Sequence, residues 1–134
     1  MPAADSFFDT NVLVYLISDD LRRSNRAREL VEAGGVISIQ ILNEFVAVAT
    51  RKLRMQVREI REVLAIVRSV CDVRPVDIET HEMALDYAER LRFSIYDAMV
   101  VAAAVNARCS TLWTEDLQHR QKIQHLTIRN PFLG

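Results

Sequence analysis

The chain has 134 residues, of which 50% are hydrophobic and 26% are charged, and its formal net charge is −1. This length suits one compact domain with a substantial core, and the composition excludes a disordered protein. The longest apolar run, Ala98 to Val105, is far shorter than the ~20 residues that span a bilayer. Asp5 and Asp9 lie where a signal peptide would have neutral or basic residues. We therefore expect residues 1–134 to form a single soluble, cytoplasmic domain.

The charges are distributed unevenly along the chain. Eleven of the 17 cations lie between Arg22 and Arg74, and the stretch from Asp72 to Glu89 is rich in acids. Five of these cations lie close together and are called here the basic cluster: Arg51, Lys52, Arg54, Arg58 and Arg61. Such asymmetry permits a positive face on a neutral protein, although an ordinary solvated helix surface has the same pattern.

Short β-rich segments alternate with helical periods along the chain. Strands are predicted at residues 6–8, 36–39, 73–76, 111–113 and 126–128. Apolar residues spaced three and four apart predict helices at residues 11–17, 24–33, 40–52, 57–71, 78–92 and 98–105. Strands that alternate with helices form a parallel sheet with helices on both faces. The sequence thus predicts a three-layer α/β domain with a five-stranded parallel sheet.

Two acids follow directly after predicted strands. Asp9 follows the first strand, and Asp116 follows the fourth, at the end of Trp113-Thr114-Glu115-Asp116. Ligands of open parallel sheets bind beyond the carboxyl ends of the strands, so both side chains are expected in one crevice. Either acid alone could instead cap a helix or a turn.

Glu44 falls on the apolar stripe of the third predicted helix, together with Ile41, Phe45 and Val48. A carboxylate in that position needs a positive partner or a raised pKa. An arginine partner would give Glu44 a structural role, and a metal ion would give it a functional one.

Asp97 precedes the helix 98–105, which is apolar on all sides and therefore belongs at the centre of the fold. Ser94-Ile95-Tyr96-Asp97 resembles a capping box, so Asp97 could serve only to cap that helix. A central helix also begins at the inner edge of the sheet, close to the expected position of Asp9.

Three or four carboxylates in one crevice repel one another unless a cation lies among them. All-oxygen ligands favour Mg²⁺ or Mn²⁺ over zinc, and metal-assisted phosphoryl chemistry fits such a site. Cys71 and Cys109 lie among apolar neighbours without ligand spacing, so we interpret both as reduced core residues.

Four segments resemble, in chain order, the motifs of PIN-domain ribonucleases. They are Phe7-Phe8-Asp9-Thr10-Asn11-Val12-Leu13-Val14-Tyr15, Leu42-Asn43-Glu44-Phe45, Ser94-Ile95-Tyr96-Asp97-Ala98 and Leu112-Trp113-Thr114-Glu115-Asp116-Leu117. The closing segment 127–132 is similar to the C-terminal tail of VapC-type toxins. Each motif alone is weak, but four acids in the same order and local context are a specific signal.

The resemblance implies a PIN-like domain with Mg²⁺- or Mn²⁺-dependent endoribonuclease activity. It also implies the toxin of a type II toxin–antitoxin pair, commonly a homodimer, silenced by a small antitoxin protein whose tail enters the active-site groove. By the same resemblance, Asp9 and Asp97 would be the principal metal ligands, and Glu44 and Asp116 would complete the acidic site. Thr114 would be the hydroxyl that supports it. RNA hydrolysis there would leave 5′-phosphate and 3′-hydroxyl ends.

Other doubly wound domains also place an aspartate at a strand end. A haloacid-dehalogenase-type phosphatase would have a second aspartate two residues after Asp9, where this chain has Asn11. A phosphoacceptor signalling domain would have its acceptor at the third strand, where segment 73–76 has none. A non-catalytic PIN-like binding module would lack some of the site acids, and all four are present.

The residues around Asp116 carry further charges. Glu115 is expected to face solvent, and its role is open. His119, Arg120 and Lys122 either contact the RNA backbone or form a solvated turn.

Overall fold

The computed structural model describes residues 5–133 of the chain. Its strands are β1 (Ser6–Phe8), β2 (Gly35–Ser38), β3 (Cys71–Arg74), β4 (Thr111–Trp113), β5 (Lys122–Ile123) and β6 (Leu126–Arg129). Its helices are α1 (Thr10–Tyr15), α2 (Leu21–Glu32), α3 (Ile39–Arg51), α4 (Val57–Val70), α5 (Ile78–Leu91) and α6 (Ile95–Asn106). The alternation that the sequence predicts is confirmed.

The strands form one sheet in the order β3-β2-β1-β4-β6-β5. All neighbouring pairs are parallel except β5 and β6, which are antiparallel. The expectation of five parallel strands was therefore one strand short. The additional strand β5 has two residues and forms a hairpin with β6, in which Gln124 adopts a left-handed conformation (φ 55°).

The core lies on both sides of β1 and β4, the central strands of the sheet. Phe7 and Phe8 of β1 and Leu112 of β4 are fully buried. Helix α6 has buried residues on all its sides, as its uniformly apolar sequence predicts. Burial of this helix removes much apolar surface from water. Burial of apolar surface is the main favourable contribution to the folding of proteins.

Strand β2 approaches β1 closely at Gly35. A Cβ atom at this position would lie 2.5 Å from Phe8 Cε2 and 2.7 Å from the carbonyl oxygen of Ser6. Real Cβ contacts are not this short, so only glycine fits beside β1 here. This contact fixes β2 against the strand that precedes Asp9.

The prediction for the two cysteines is confirmed, and the bounds of the third strand differ from the prediction. Cys71 and Cys109 are buried and neither forms a disulfide. The third strand begins two residues earlier than predicted, because α4 ends at Val70 and Cys71 is already extended. Within residues 5–133, no helix has both the length and the apolar character needed to cross a membrane.

Candidate active site

An acidic cavity of about 650 Å³ lies at the carboxyl edge of the sheet, and all four predicted acids line it: Asp9, Glu44, Asp97 and Asp116. They come from the ends of β1 and β4 and from the helices α3 and α6. The topology brings the strand-end acids together, because β1 and β4 are parallel neighbours in which Phe8 pairs with Trp113. The structure thus gathers residues that are distant in the sequence.

Asp9 is the buried acid of this cavity, with 5% of its surface exposed. It caps α1, where its Oδ1 accepts a hydrogen bond from the backbone N–H of Thr10 at 2.7 Å. Its Oδ2 accepts a hydrogen bond from Thr114 Oγ1 at 2.8 Å. The capping role and a place in the acidic cavity are therefore compatible.

The surroundings of Asp9 shift its ionisation. Burial raises the pKa of Asp9 from 3.8 to about 6, because the charged form loses water. The hydrogen bonds from Thr114 and Thr10 oppose that rise in pKa, and the negative charges of Asp116 and Glu44 add to it. Asp9 thus responds electrostatically to two of the other acids.

Glu44 lies half-buried at the edge of the apolar stripe of α3. Its Oε2 accepts a hydrogen bond from Thr10 Oγ1 at 2.9 Å, and its Oε1 accepts one from Gln40 Nε2 at 2.8 Å. Within residues 5–133, no cation forms an ion pair with Glu44. The arginine partner that would make Glu44 purely structural is therefore absent from the part of the chain that the structure describes.

Asp97 occupies the first turn of α6, and its backbone N–H donates to Ser94 Oγ at 3.1 Å. The residue that caps α6 is therefore Ser94, and Asp97 lies three residues after it in the first turn. Partial burial raises the pKa of Asp97, and the charges of Asp116 and Glu44 raise it further. Repulsion between these carboxylates is the expected result of placing them around one cavity.

Asp116 is held by Asn11, whose Nδ2 donates a hydrogen bond to Asp116 Oδ2 at 3.0 Å. The same Nδ2 lies 3.3 Å from Thr114 Oγ1, which also accepts the backbone N–H of Asp116 at 3.1 Å. Asn11 Oδ1 is buried and has no hydrogen-bond partner within residues 5–133. Thr10 and Asn11 are site residues that sequence analysis did not assign, although both directly follow Asp9.

The donor set suits a hard divalent cation, because carboxylate, amide and hydroxyl oxygens line the cavity. Within residues 5–133, no three Asp, Glu, His or Cys side chains are already gathered closely enough to hold a metal ion. The buried oxygen of Asn11 and the raised pKa values of Asp9 and Asp97 are features that a cation among these oxygens would relieve. The chemistry of these oxygens therefore fits a hard divalent cation, and their spacing in this structure is wider than a bound cation requires.

The structure decides the expectation for Glu115 and gives His119 a hydrogen-bond partner. Glu115 does not face solvent freely: its side chain is 26% exposed and forms an ion pair with Arg23. The prediction of a solvent-facing Glu115 was wrong because its partners, Tyr15 and Arg23, come from α1 and α2. His119 Nδ1 accepts a hydrogen bond from the backbone N–H of Asn130 at 2.9 Å, so this ring organises a turn.

The same cavity also has residues of a different chemistry. Lys52, Leu53 and Tyr96 line it, and the last two are 44% and 71% exposed. The lining of the cavity therefore combines four carboxylates with a cation and an aromatic ring.

Comparison with known proteins agrees with this geometry. The family model for the PIN domain matches residues 6–123. No curated protein matches the chain significantly.

Three solved structures share the fold. A toxin–antitoxin complex from Klebsiella pneumoniae is 22% identical with a TM-score of 0.70, covering 95% of this chain and 98% of that one. VapBC2 from Rickettsia felis, bound to a DNA fragment from its promoter, is 19% identical with a TM-score of 0.67, covering 93% and 97%. VapC20 from Mycobacterium tuberculosis, described as a sarcin–ricin loop cleaving toxin, is 21% identical with a TM-score of 0.66, covering 80% and 86%. The family match extends over most of the sequence, and the chain belongs to the PIN domain family.

Proposed function

We propose that this protein is a metal-dependent endoribonuclease and the toxin of a type II toxin–antitoxin pair. The observation that carries the proposal is the convergence of four carboxylates on one cavity at the carboxyl edge of the sheet. Membership of the PIN family supports nuclease chemistry, and the similar structures include a toxin described as cleaving RNA.

Asp9 and Asp97 are the proposed principal metal ligands, and Glu44 and Asp116 complete the set. A bound Mg²⁺ or Mn²⁺ would supply activation of water and stabilisation of charge on the phosphate. The chain's own polar groups prepare these acids: Thr114 orients Asp9, Thr10 orients Glu44, and Asn11 orients Asp116.

The substrate proposed for this cavity is a single-stranded RNA phosphodiester. Water attacks phosphorus in line, the bond from phosphorus to the 3′-oxygen breaks, and the products carry 5′-phosphate and 3′-hydroxyl ends. In the lining of the same cavity, Lys52 offers a cation for the RNA backbone and Tyr96 an aromatic face for a base.

The proposed partner is a small antitoxin protein. Two of the similar structures are toxin–antitoxin complexes, which supports a protein inhibitor for this fold. The homodimer and the antitoxin tail in the active-site groove remain predictions for this chain.

Cleavage of a labelled RNA tests the nuclease. Asp9→Asn and Asp97→Asn should abolish cleavage without unfolding the protein, because each removes a ligand charge with little change of shape. The control Asp86→Asn replaces an exposed acid on α5 and should cleave normally. Wild-type activity should disappear in EDTA and return with Mn²⁺; cleavage that persists in EDTA contradicts the metal mechanism.

Growth tests the toxin role separately. Induction of the wild-type chain in a bacterial host without its antitoxin should arrest growth, and Asp97→Asn should not. An active nuclease in vitro that leaves growth unaffected would retain the first part of the proposal and remove the second.

A further inference from the structure

Glu115 lies between two residues of the acidic site and lines the same cavity, and both of its carboxylate oxygens accept hydrogen bonds from other side chains. Tyr15 donates its hydroxyl proton to Glu115 Oε1 at 2.9 Å. Arg23 Nη1 donates to Glu115 Oε2 at 3.1 Å and to the Tyr15 hydroxyl oxygen at 3.1 Å. These three residues are called here the Arg23 clamp.

The guanidinium of Arg23 is fixed from several sides. Its carbon lies 4.9 Å from the centre of the Phe132 ring and 5.3 Å from that of Tyr15. The two rings meet edge to face with their centres 4.8 Å apart. Arg23 Nε also pairs with Asp20, the residue that caps α2, at 3.3 Å. An arginine held by rings and carboxylates in this way has little freedom to move.

The segment that carries Asp116 is anchored at three consecutive side chains. Thr114 donates to Asp9, Glu115 accepts from Tyr15 and Arg23, and Asp116 accepts from Asn11. The Asn11–Asp116 hydrogen bond is exposed to solvent, so it holds the carboxylate only weakly by itself. The clamp is the ionic anchor of this segment.

We propose that Arg23, Tyr15 and Glu115 are positioning residues that fix the backbone at residues 114–116 and thereby hold Asp116 at the acidic cavity. This inference rests on the proposed metal-dependent function. Glu115 is then not a fifth metal ligand, because its two oxygens accept hydrogen bonds from Tyr15 and Arg23. Loss of the clamp should weaken metal binding through the position of Asp116.

The sign of the effect separates positioning from simple charge. Arg23→Gln removes a positive charge near four carboxylates, which by Coulomb attraction alone should make the site bind Mn²⁺ more tightly. Positioning predicts weaker binding, by about tenfold, because residues that orient metal ligands have effects of this size. The two explanations therefore predict opposite changes in the same measurement.

Mn²⁺ dissociation constants, measured from the electron paramagnetic resonance signal of the free ion, test the clamp. The variants are Arg23→Gln, Glu115→Gln, the double variant, and Tyr15→Phe, which removes one hydroxyl and retains the ring contacts. Because Arg23 and Glu115 act as a unit, the variant with both substitutions should lose no more Mn²⁺ affinity than Arg23→Gln alone. Tyr15→Phe should show a smaller loss in the same direction, and it tests the clamp even where Arg23→Gln does not fold.

Arg26→Gln is the matched control. Arg26 lies on the same helix, stacks over Trp113 at 5.5 Å and donates to the Pro131 carbonyl oxygen, but it does not contact Glu115. It should leave the Mn²⁺ affinity within about twofold of wild type, since it orients no metal ligand. If Arg26→Gln lost as much Mn²⁺ affinity as Arg23→Gln, the loss would reflect general stability, and the proposed positioning role of the clamp would be wrong.

Wild-type Mn²⁺ binding separates the two proposals. If the wild type binds Mn²⁺ and Arg23→Gln binds it equally or more tightly, the clamp is wrong and the nuclease proposal stands. If the wild type neither binds Mn²⁺ nor cleaves RNA, the proposed function itself is wrong.

Discussion

Asp9 connects the electrostatics of the acidic cavity to the stability of the protein. Its pKa of about 6 in the folded chain lies above the ordinary value of 3.8, so the folded state holds the proton more tightly than the unfolded chain. Ionisation of Asp9 therefore disfavours folding. Its unfavourable contribution is absent below pH 3.8, grows as the pH rises towards about 6, and is complete above that value.

Asp9→Asn should remove this pH dependence. In metal-free buffer, the unfolding free energy of the variant relative to wild type should rise between pH 4 and pH 7 by roughly 2 to 3 kcal/mol. Urea denaturation at a series of pH values measures this difference. The hydrogen bond from Thr114 is already included in the pKa of about 6, and only the difference between the two proteins below pH 3.8 adds an offset that does not change with pH. A difference that is constant across the range would show that Asp9 does not titrate as described.

Asp97→Asn should raise the melting temperature of the metal-free protein. The substitution removes a charge that Asp116 and Glu44 repel. We expect a gain of about 1 kcal/mol, allowing for solvent screening. Mn²⁺ should raise the melting temperature of the wild type through ligand linkage, and that of the variant much less. Asp86→Asn is the control, and a lower melting temperature for Asp97→Asn would identify Asp97 as a paired structural acid.

The sequence predicts some residues of the site better than others. Asp9 and Asp116 could be found because each directly follows a strand, and Glu44 because it interrupts an apolar stripe. The partners of Glu115 could not be found, since Tyr15 is 100 residues away in the chain and Arg23 is 92 residues away. Ion pairs across such distances depend on how α1, α2 and the end of β4 pack together, and no local pattern records that packing.

At the scale of elements, the approach of β2 to β1 controls where Asp9 is placed. Gly35→Ala would put its Cβ 2.7 Å from the Ser6 carbonyl oxygen, a backbone atom that cannot rotate away. The strands must separate, and we expect a loss of about 1–3 kcal/mol in unfolding free energy, as in other overpacked cores. Urea denaturation checks this loss, with Ala33→Ser, an exposed neighbour, as the control. A stability equal to that of wild type would contradict the close approach.

Element types follow from the sequence more reliably than their number. Helices such as α4 and α6 have a clear period or a uniformly apolar composition, and both form as predicted. Strand β5 has two residues, which is too short for any alternation to show. Its pairing with β6 is created by the hairpin at Gln124, whose left-handed backbone is uncommon for a residue other than glycine.

At the scale of the whole molecule, the basic cluster gives a positive surface to a protein of net charge −1. All five cations are exposed, and Lys52 also lines the acidic cavity. The cluster runs from the end of α3 to the first half of α4. An RNA strand that enters the cavity past Lys52 would find further cations along this surface.

Salt dependence tests this path. Binding of inactive Asp97→Asn to a fluorescent RNA should weaken with salt by about 0.7 log units per log unit of salt for each phosphate neutralised. Adding Lys52→Glu and Arg54→Glu should flatten the slope by about 1.4, while Arg22→Glu and Arg68→Glu, outside the cluster, should leave it unchanged. If Lys52→Glu and Arg54→Glu left the slope unchanged, the basic cluster would be an ordinary solvated surface that does not bind RNA.

The central position of β1 and β4 also determines when the cavity can exist during protein synthesis. Asp9 and Thr114 bond across 105 residues of chain. A nascent chain that has emerged only through α5 holds Asp9 and Glu44 but lacks the segments that carry Asp97 and Asp116. Contacts between residues this far apart in the sequence form late and slowly, because a long loop of chain must close first. The proposed nuclease activity would therefore be absent from the nascent chain until α6 and β4 have emerged and joined the sheet.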